Sequence, residues 1–361
     1  MVVVTRHGDR TPVYTYDIPN DSVEWNCTLN LQVSDSSSVQ PAVPTRIFQK
    51  QYMRGRELLA GNCMLGQLTE RGATQHQGVG AHMKALYIDK LGFLSPSLDA
   101  SELSLRSTDV ERTLLSAYNL IRGMYPDSGE QVLPIMTIDD ALDNGSPNTG
   151  LCPALKTVYA EARNSSAYQK FYQENLGPLA IKYGALWNRS LTGLDFNALN
   201  DISRARFCHG YEAPTDWTMD DLATLWHAQC VLDNMEVESF DAQRFGSGSY
   251  MQDILASFNE PQKFQLFSAH DSTLRSLLYA MIEEPGDTLS WPAYASHFTM
   301  EAWQTGSDDI VIGAQFNGQM QQLKAPCKSK FCSLTDFTTL MKKYAVTPEE
   351  CQSYTPGSVR F

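Results

Sequence analysis

The chain has 361 residues, a net charge of −13 at neutral pH, 42% hydrophobic residues and 19% charged residues. This length suits one large domain or two smaller ones with a substantial core. The acidic balance argues against nucleic acid and anionic membrane surfaces as partners, and no apolar run is long enough to cross a membrane. The first candidate functional residue is the sixth, so we expect any signal peptide to have been removed or to lie outside this sequence.

Eight cysteines without a CxxC pair, together with five Asn-x-Ser/Thr sequons, indicate an oxidising compartment. We therefore expect a secreted or lysosomal glycoprotein that contains disulfide bonds. Eight cysteines allow 105 complete pairings, so spacing alone leaves their connectivity open. The sequence also leaves open whether the chain forms a homodimer. The sequons begin at Asn20, Asn26, Asn144, Asn164 and Asn188.

The first part of the chain predicts strands that lead into polar residues and helices. An apolar strand over 1–5 precedes a long irregular stretch over 14–62, which is rich in Ser, Pro, Asn and Asp. Apolar side chains at helical spacing predict a helix over 69–90. Alternating polar and apolar residues predict a half-buried strand over 102–106, which leads into a helix over 110–124.

Strand signals become sparse after a short predicted strand over 134–138. The region 145–245 contains amphipathic helical stretches with scattered Tyr and Trp, which predicts a mostly helical cap domain. The α/β domain then consists of 1–144 and 246–361. In its second part we expect strands over 264–267, 297–303, 309–316 and 319–324, and helices over 273–282 and 335–344.

The alternation of strands and helices predicts an α/β fold: a mainly parallel central sheet flanked by helices, with the α-helical cap inserted. In such sheets, ligands bind outside the carboxyl ends of the strands. Polar clusters follow three predicted strands: His7 with its arginines, Arg106, and His270 with Asp271. We therefore expect these clusters to converge on one site.

The heptapeptide RHGDRTP over 6–12 has the composition of a phosphate site. Each guanidinium presents a planar fork of donors that matches phosphate oxygens. Arg6, Arg10 and Arg106 are predicted to clamp the phosphoryl group, with His270 as a further donor. Because guanidiniums supply the positive charge, we expect no metal and no other cofactor.

His7 is the predicted nucleophile. In-line attack by its unprotonated nitrogen on phosphorus would give a phosphohistidine and divide the reaction into two displacements. Surrounding positive charge lowers the pKa of His7, so the ring stays unprotonated in acid. Asp271 is the predicted proton donor to the leaving alkoxide, which favours an acidic pH optimum. Small phosphomonoesters are the expected substrates.

The order RHGxRxP, then RSTDxxRT over 106–113, then a distant His-Asp resembles the histidine acid phosphatases. These form part of the second branch of the histidine phosphatase superfamily, and the likeness is greatest to the prostatic and lysosomal acid phosphatases. The likeness includes GQLT over 66–69 and YAS over 294–296, and it spans nearly the whole chain. It implies an α/β domain with a helical cap, nucleophile His7, phosphate ligands Arg6, Arg10, Arg106 and His270, and proton donor Asp271.

The resemblance also bears on the cysteines. It implies the pairs Cys152–Cys351 and Cys327–Cys332. The remaining four cysteines are assigned as Cys208–Cys230 and Cys27–Cys63, which is an inference from what is left over and not from the resemblance.

Several other polar residues receive structural interpretations. Asp109 and Arg112 are expected to brace the Arg106 loop or to cap its helix, with a role in catalysis as the less favoured alternative. Asp9 is either an orienter of an arginine or exposed to solvent. Five histidines without a partner pattern are expected to be structural or on the surface: His76, His82, His209, His227 and His297.

Two alternatives to a general acid phosphatase are considered. A phytase shares the first motif and the His-Asp pair, but phytate requires a strongly basic rim, and this acidic chain has no lysine cluster to supply one. The other alternative is a phosphate-binding relative that has lost turnover. Such a protein usually lacks the nucleophile or the proton donor, whereas this sequence retains both.

Overall fold

A seven-stranded mixed sheet forms the centre of the protein. The computed structural model describes residues 1–19, 21–27, 59–128, 133–214, 216–283 and 291–354, so most of the predicted irregular stretch over 14–62 lies outside the described residues. Within that part of the chain the strand order is β2-β3-β1-β4-β5-β6, and β7 pairs with β5. The strands are β1 Val2–Arg6, β2 Leu103–Ser107, β3 Phe264–Ala269, β4 His297–Gln304, β5 Ile310–Phe316, β6 Gln319–Met320 and β7 Phe331–Ser333.

The three strands that precede the polar clusters are parallel neighbours. Arg6 at the end of β1 pairs with Ala269 at the end of β3, and Ser107 at the end of β2 pairs with Ser268. The strands from β4 onward are antiparallel. The predicted α/β fold class is confirmed, and its parallel part is the part that brings the clusters together at one edge.

Two predicted strands are shorter than expected. Over 134–138 only Met136 forms a bridge, to Arg106, because Met136 and Ile138 are largely exposed and gain no burial by extending the sheet. The strand predicted over 319–324 is observed only at β6, Gln319–Met320. After β6 the chain leaves the sheet, and Leu323 forms an isolated bridge with Ile282.

Both faces of the sheet are covered by helices, as alternation along β1 shows. Val3 packs in a cluster with helices α1 and α2, whereas Val2 and Val4 pack in a second cluster with α8, α9 and α10. A π-helical turn, Lys84–Lys90, extends α1. These helices, with the short α11, are α1 Glu70–Met83, α2 Glu111–Met124, α8 Phe240–Ser257, α9 Asp271–Met281, α10 Leu334–Lys343 and α11 Pro348–Ser353.

Two glycines allow the loop after β1 to lie directly on α1. A Cβ on Gly8 would meet the carbonyl oxygen of Gly72 at 2.4 Å, and one on Gly72 would meet that of Asp9 at 2.3 Å. Any side chain at either position would force the loop away from the helix. The loop is also held from α2, where Ser116 Oγ accepts the Gly8 N–H at 3.1 Å.

The region between the sheet strands β2 and β3 is helical, as predicted. Its helices have a hydrophobic cluster of their own, which includes Tyr183, Phe196 and Leu225. The division into 1–144 with 246–361 and a cap over 145–245 stays a prediction, and its second boundary falls inside α8. The inserted helices before α8 are α3 Pro153–Asn164, α4 Ser166–Asn175, α5 Gly177–Trp187, α6 Gly193–His209 and α7 Met219–Val237.

Three of the four expected disulfides form: Cys27–Cys63, Cys152–Cys351 and Cys327–Cys332. The pairing of Cys208 with Cys230 is wrong, because both are free thiols. Cys208 on α6 lines a cavity, whereas Cys230 on α7 is buried and its sulfur accepts the Trp291 N–H at 3.4 Å. No helix in the described ranges has the length and apolar character that crossing a membrane requires.

Candidate active site

A cavity of about 590 Å³ lies at the carboxyl ends of β1 and β3. The sheet side contributes the residues that follow these strands, and helices α6 and α7 contribute the opposite wall. Polar side chains dominate both walls. The lining includes Arg6, His7, Arg10, Arg112, Asp201, Arg204, Cys208, Asp233, His270, Asp271, Trp291 and Tyr294.

His7 lies at the inner end of this cavity and is 2% exposed. Its Nδ1 is 2.9 Å from the carbonyl oxygen of Gly8. Because a carbonyl only accepts, Nδ1 carries the hydrogen and Nε2 keeps its lone pair. Burial holds the pKa of His7 well below its usual value, and the charges of Arg112 and Arg6 lower it further. Both effects favour the neutral ring, with Nε2 unprotonated.

Arg6 ends β1 and is almost completely buried. Its Nη2 donates to Asp271 Oδ2 at 2.9 Å, and its Nη1 donates to the carbonyl of Pro292. The guanidinium lies 4.2 Å from the centre of the Tyr294 ring, a cation–π contact. These contacts fix the guanidinium beside His7.

Arg10 is held by the inserted helices. Its Nη2 donates to Asp201 Oδ1 on α6 at 2.7 Å, and the other oxygen of Asp201 accepts the Val13 N–H at 2.7 Å. Burial by itself lowers the pKa of Arg10, but the Asp201 carboxylate, together with Tyr294 and Asp271, outweighs burial and keeps the pKa above its usual value. Helix α6 thus orients one of the expected phosphate ligands.

Arg112, in the first turn of α2, is a guanidinium in the cavity that sequence reasoning did not assign to the site. It makes no ion pair or side-chain hydrogen bond with any described residue. Burial, and then the charge of Arg10, lower its pKa to about 10. The Nε atoms of Arg6, Arg10 and Arg112 are all buried without a hydrogen-bond partner in the part of the chain that the structure describes. Such a group of unpaired donors is suited to bind an anion.

His270 and Asp271 complete the inner end of the cavity. The His270 ring lies 5.7 Å from the His7 ring, and its Nε2 is 3.0 Å from Thr108 Oγ1. Burial, and then Arg112, lower the pKa of His270 to about 3. Asp271 begins α9, where burial raises its pKa, but the charges of Arg6, Arg275 and Arg10 together lower it more, so the carboxyl is held well below its usual range.

Residues 1–316 match the profile of the histidine phosphatase superfamily (branch 2). The chain belongs to this superfamily. The expected membership is confirmed, and the chain is a phosphatase hydrolase.

Known relatives of this histidine phosphatase cover nearly its whole length. It is 29% identical to Counting factor 60 of Dictyostelium discoideum, over 93% of this chain and 83% of that protein. It is 27% identical to lysosomal acid phosphatase of Xenopus laevis, over 98% of this chain and 78% of that protein. The structure of a phytase from Citrobacter braakii has a TM-score of 0.67 at 15% identity, covering 97% of this chain and 98% of that one, and so shares the fold.

Arg106 is the expected site residue that this histidine phosphatase does not bring to the cavity. Its side chain alternates onto the other face of β2, over the Tyr250 ring of α8 at 5.3 Å. There it donates to Asp253 Oδ2 at 2.7 Å and to Asn144 Oδ1, and Asp143 lies 3.7 Å away. Its expected place beside His7 is taken by Arg112, six residues later. The spacing of Arg112 within the first turn of the next helix is the signal that could have identified it.

Asp9 makes no contact with an arginine among the described residues, and it is not exposed. Its carboxylate is fully buried, and Oδ2 accepts hydrogen bonds from Thr69 Oγ1 at 2.6 Å and from His209 Nδ1 at 2.8 Å. His209 ends α6, so this contact ties the loop after β1 to α1 and to the cap. His76 is also buried, and its Nε2 lies 3.0 Å from the Arg6 carbonyl oxygen.

Proposed function

We propose that this histidine phosphatase is an acid phosphomonoesterase that acts through a phosphohistidine at His7. The observation that supports this most directly is the commitment of Nδ1 to the Gly8 carbonyl, which leaves the Nε2 lone pair available. Arg6, Arg10 and Arg112 line the same cavity and their charges act on His7, and their Nε donors, which are unpaired among the described residues, are suited to the equatorial oxygens of a phosphoryl group.

The proposed first step is attack of His7 Nε2 on phosphorus. The new N–P bond forms as the P–O ester bond breaks, and the bonding pair leaves with the alkoxide oxygen. Asp271 transfers its proton to that oxygen, and the alcohol departs. In the second step water attacks the phosphohistidine, Asp271 takes a proton from that water, and the N–P pair returns to Nε2 with release of inorganic phosphate.

The pKa of Asp271 is consistent with an acidic optimum. In the free enzyme Arg6 holds this carboxyl ionised. A bound phosphate dianion offsets the positive charge of the arginines and so raises the pKa of Asp271. The protonated donor therefore forms with substrate present, and its fraction rises as the pH falls.

Phytate is a less suitable substrate than a simple phosphomonoester. The cavity-lining arginines, Arg6, Arg10, Arg112 and Arg204, are matched in number by aspartates, and no lysine lines the described walls. This charge balance supports binding of one phosphoryl group more than of a highly phosphorylated ring. The comparison of phosphate release from phytate and from aryl phosphates separates the two functions.

The compartment and partners are also part of this proposal. Three disulfides support folding in the secretory pathway, and we propose a secreted or lysosomal location. Small phosphomonoesters are the proposed partners, with neither nucleic acid nor membrane as a ligand.

The experiment is trapping of the phosphoenzyme from radiolabelled substrate by an alkaline quench, because the N–P bond of a phosphohistidine is stable in alkali and hydrolyses in acid, followed by peptide mapping at alkaline pH. p-Nitrophenyl phosphate at pH 5 should label the N-terminal peptide at His7, and His7→Ala should lose the label and nearly all turnover. His227→Asn is the matched control, because His227 is exposed on α7. A label on another residue, or full activity in His7→Ala, contradicts the proposal. Turnover without a trapped label in the active wild type contradicts the covalent step.

A further inference from the structure

Arg204 on α6, like Arg112, lines the cavity and has no carboxylate partner among the residues that the structure describes. The cavity-lining residues of α6 recur at helical spacing, so Arg204 shares a face with Asp201 and Cys208. Its Nε donates to Asn200 Oδ1 at 2.8 Å and its Nη2 to the Trp226 carbonyl at 2.8 Å. Both acceptors are neutral, and Nη1 has no hydrogen-bond partner within the described ranges.

The other charged groups near Arg204 are paired. Asp201 is bound to Arg10 at 2.7 Å, and Asp233 is bound to Arg275 at 3.1 Å. Neither carboxylate forms a salt bridge with Arg204, so its positive charge faces the cavity uncompensated by its neighbours on α6 and α7. An oriented guanidinium of this kind is a binding site for an anion.

The Trp291 ring places Arg204 close to the phosphoryl site. The guanidinium carbons of Arg6 and Arg204 lie 5.9 and 5.3 Å from the centre of this ring, so they are at most about 11 Å apart. The Trp226 ring, 5.6 Å away, lies against the same guanidinium. These contacts restrict where the Arg204 fork can point, and a small leaving group can extend from one arginine to the other.

We propose that Arg204 binds a second anionic group carried by the leaving group of the substrate. The preferred substrates are then small phosphomonoesters with a carboxylate or a second phosphoryl group a few bonds from the ester oxygen. This inference rests on the proposed function, because it assigns the leaving-group side of the same cavity. It makes Arg204 a specificity residue, distinct from the arginines that surround His7.

The test compares 3-phosphoglycerate with glycerol 3-phosphate, which differ only in a carboxylate in place of a hydroxymethyl group. The wild type should show a kcat/KM ratio of roughly tenfold in favour of the carboxylate, as expected for one charge-assisted hydrogen bond. Arg204→Gln should bring the ratio close to one, and Arg204→Lys should give an intermediate ratio. A wild-type ratio near one, or an unchanged ratio in Arg204→Gln, overturns the inference.

A second arm identifies the anion. Propane-1,3-diol bisphosphate is compared with 3-hydroxypropyl phosphate in the same variants. A preference for the substrate with the second anion, if it depends on Arg204 in either arm, supports the inference. The arm in which this preference occurs shows whether the anion is a carboxylate or a phosphoryl group. Arg122→Gln is the control, because Arg122 is exposed on α2, and it should keep the wild-type ratios.

Two further measurements separate the failure of this inference from other failures. Hydrolysis of p-nitrophenyl phosphate, which has no second anion, tests the proposed function alone. Calorimetric titration of His7→Ala with 3-phosphoglycerate and glycerol 3-phosphate gives the ratio of dissociation constants without turnover. Equal constants refute the inference even if the enzyme is inactive. Thermal unfolding shows whether Arg204→Gln is folded. If Arg204→Gln does not fold, the comparison is made with Arg204→Lys instead.

Discussion

Replacement of Arg112 by glutamine should increase stability while it destroys activity. The Arg112 guanidinium is buried beside Arg10 and Arg6 without a carboxylate partner in the described part of the chain, and its pKa is lowered from 12.5 to about 10. At about 1.4 kcal/mol for each pH unit of displacement, its charged form costs the free enzyme about 3 kcal/mol. Arg112→Gln removes this cost and keeps most of the side-chain volume, so the midpoint of thermal unfolding should rise by about 2–4 °C.

The activity of Arg112→Gln should change in the opposite direction. Loss of one preorganised donor to the developing phosphoryl charge should reduce kcat/KM for p-nitrophenyl phosphate by about 10²–10³-fold. The assay is initial-rate kinetics at pH 5, and unfolding is followed by circular dichroism in phosphate-free buffer. Inorganic phosphate should raise the unfolding midpoint of the wild type more than that of the variant.

Arg106→Gln is the matched control for this prediction. It breaks a partly exposed contact with Asp253 and Asn144, so we expect a loss of about 1 kcal/mol of stability and less than a tenfold change in kcat/KM. If Arg106→Gln abolishes turnover and Arg112→Gln retains it, our assignment of the third guanidinium is wrong. A lower unfolding midpoint for Arg112→Gln would refute the electrostatic argument.

Three further predictions follow from the geometry. Asp271→Ala should reduce kcat for alkyl phosphates by at least about tenfold more than for p-nitrophenyl phosphate, because only the poor alkoxide leaving group needs a proton; equal losses in steady-state assays would contradict this role. Burial lowers the pKa of His76 to about 4 and of His270 to about 3. Below about pH 6.5 these rings are therefore protonated in the unfolded chain but stay neutral in the folded protein. Their contribution is therefore fully present above about pH 6.5 and is lost as the pH falls toward these values, by up to about 1.4 kcal/mol per pH unit for each ring, which urea unfolding between pH 6.5 and 4.5 measures. Asn144 should carry no glycan, because its amide nitrogen donates to Ser249 Oγ and to Asp253 Oδ2, each at 2.9 Å, whereas the Asn164 side chain is exposed. Glycopeptide mapping of the secreted protein checks this, and an occupied Asn144 would disprove it.

Much of the fold could be predicted from local patterns. The runs that became β1, β2 and β3 are bounded by polar residues, and their alternation or apolar character predicts strands wherever they occur. The helices α1, α2, α9 and α10 were predicted within a few residues for the same reason. Failures occurred where a segment is short and exposed, as at Met136, because its length depends on burial against neighbours that the sequence does not display.

The candidate site was predicted less completely. His7, Arg6 and Arg10 are adjacent in sequence, and His270 and Asp271 follow the strand beside β1, so parallel pairing was enough to bring them together. The contributions of α6 could not be found this way. Asp201 reaches Arg10 only because the inserted helices fold back over the edge of the sheet.

The sequence by itself determined which chemistry-bearing residues this histidine phosphatase carries, and which strand ends they follow, because both depend on residue type and local periodicity. Only the tertiary structure decided that Arg112 and not Arg106 lines the cavity, that Asp9 is buried against His209, and that Cys208 and Cys230 stay apart. The physical reason is that local periodicity does not specify the direction in which an individual side chain points. Each of these outcomes depends on where one side chain points and on what lies across from it, often more than a hundred residues away along the chain.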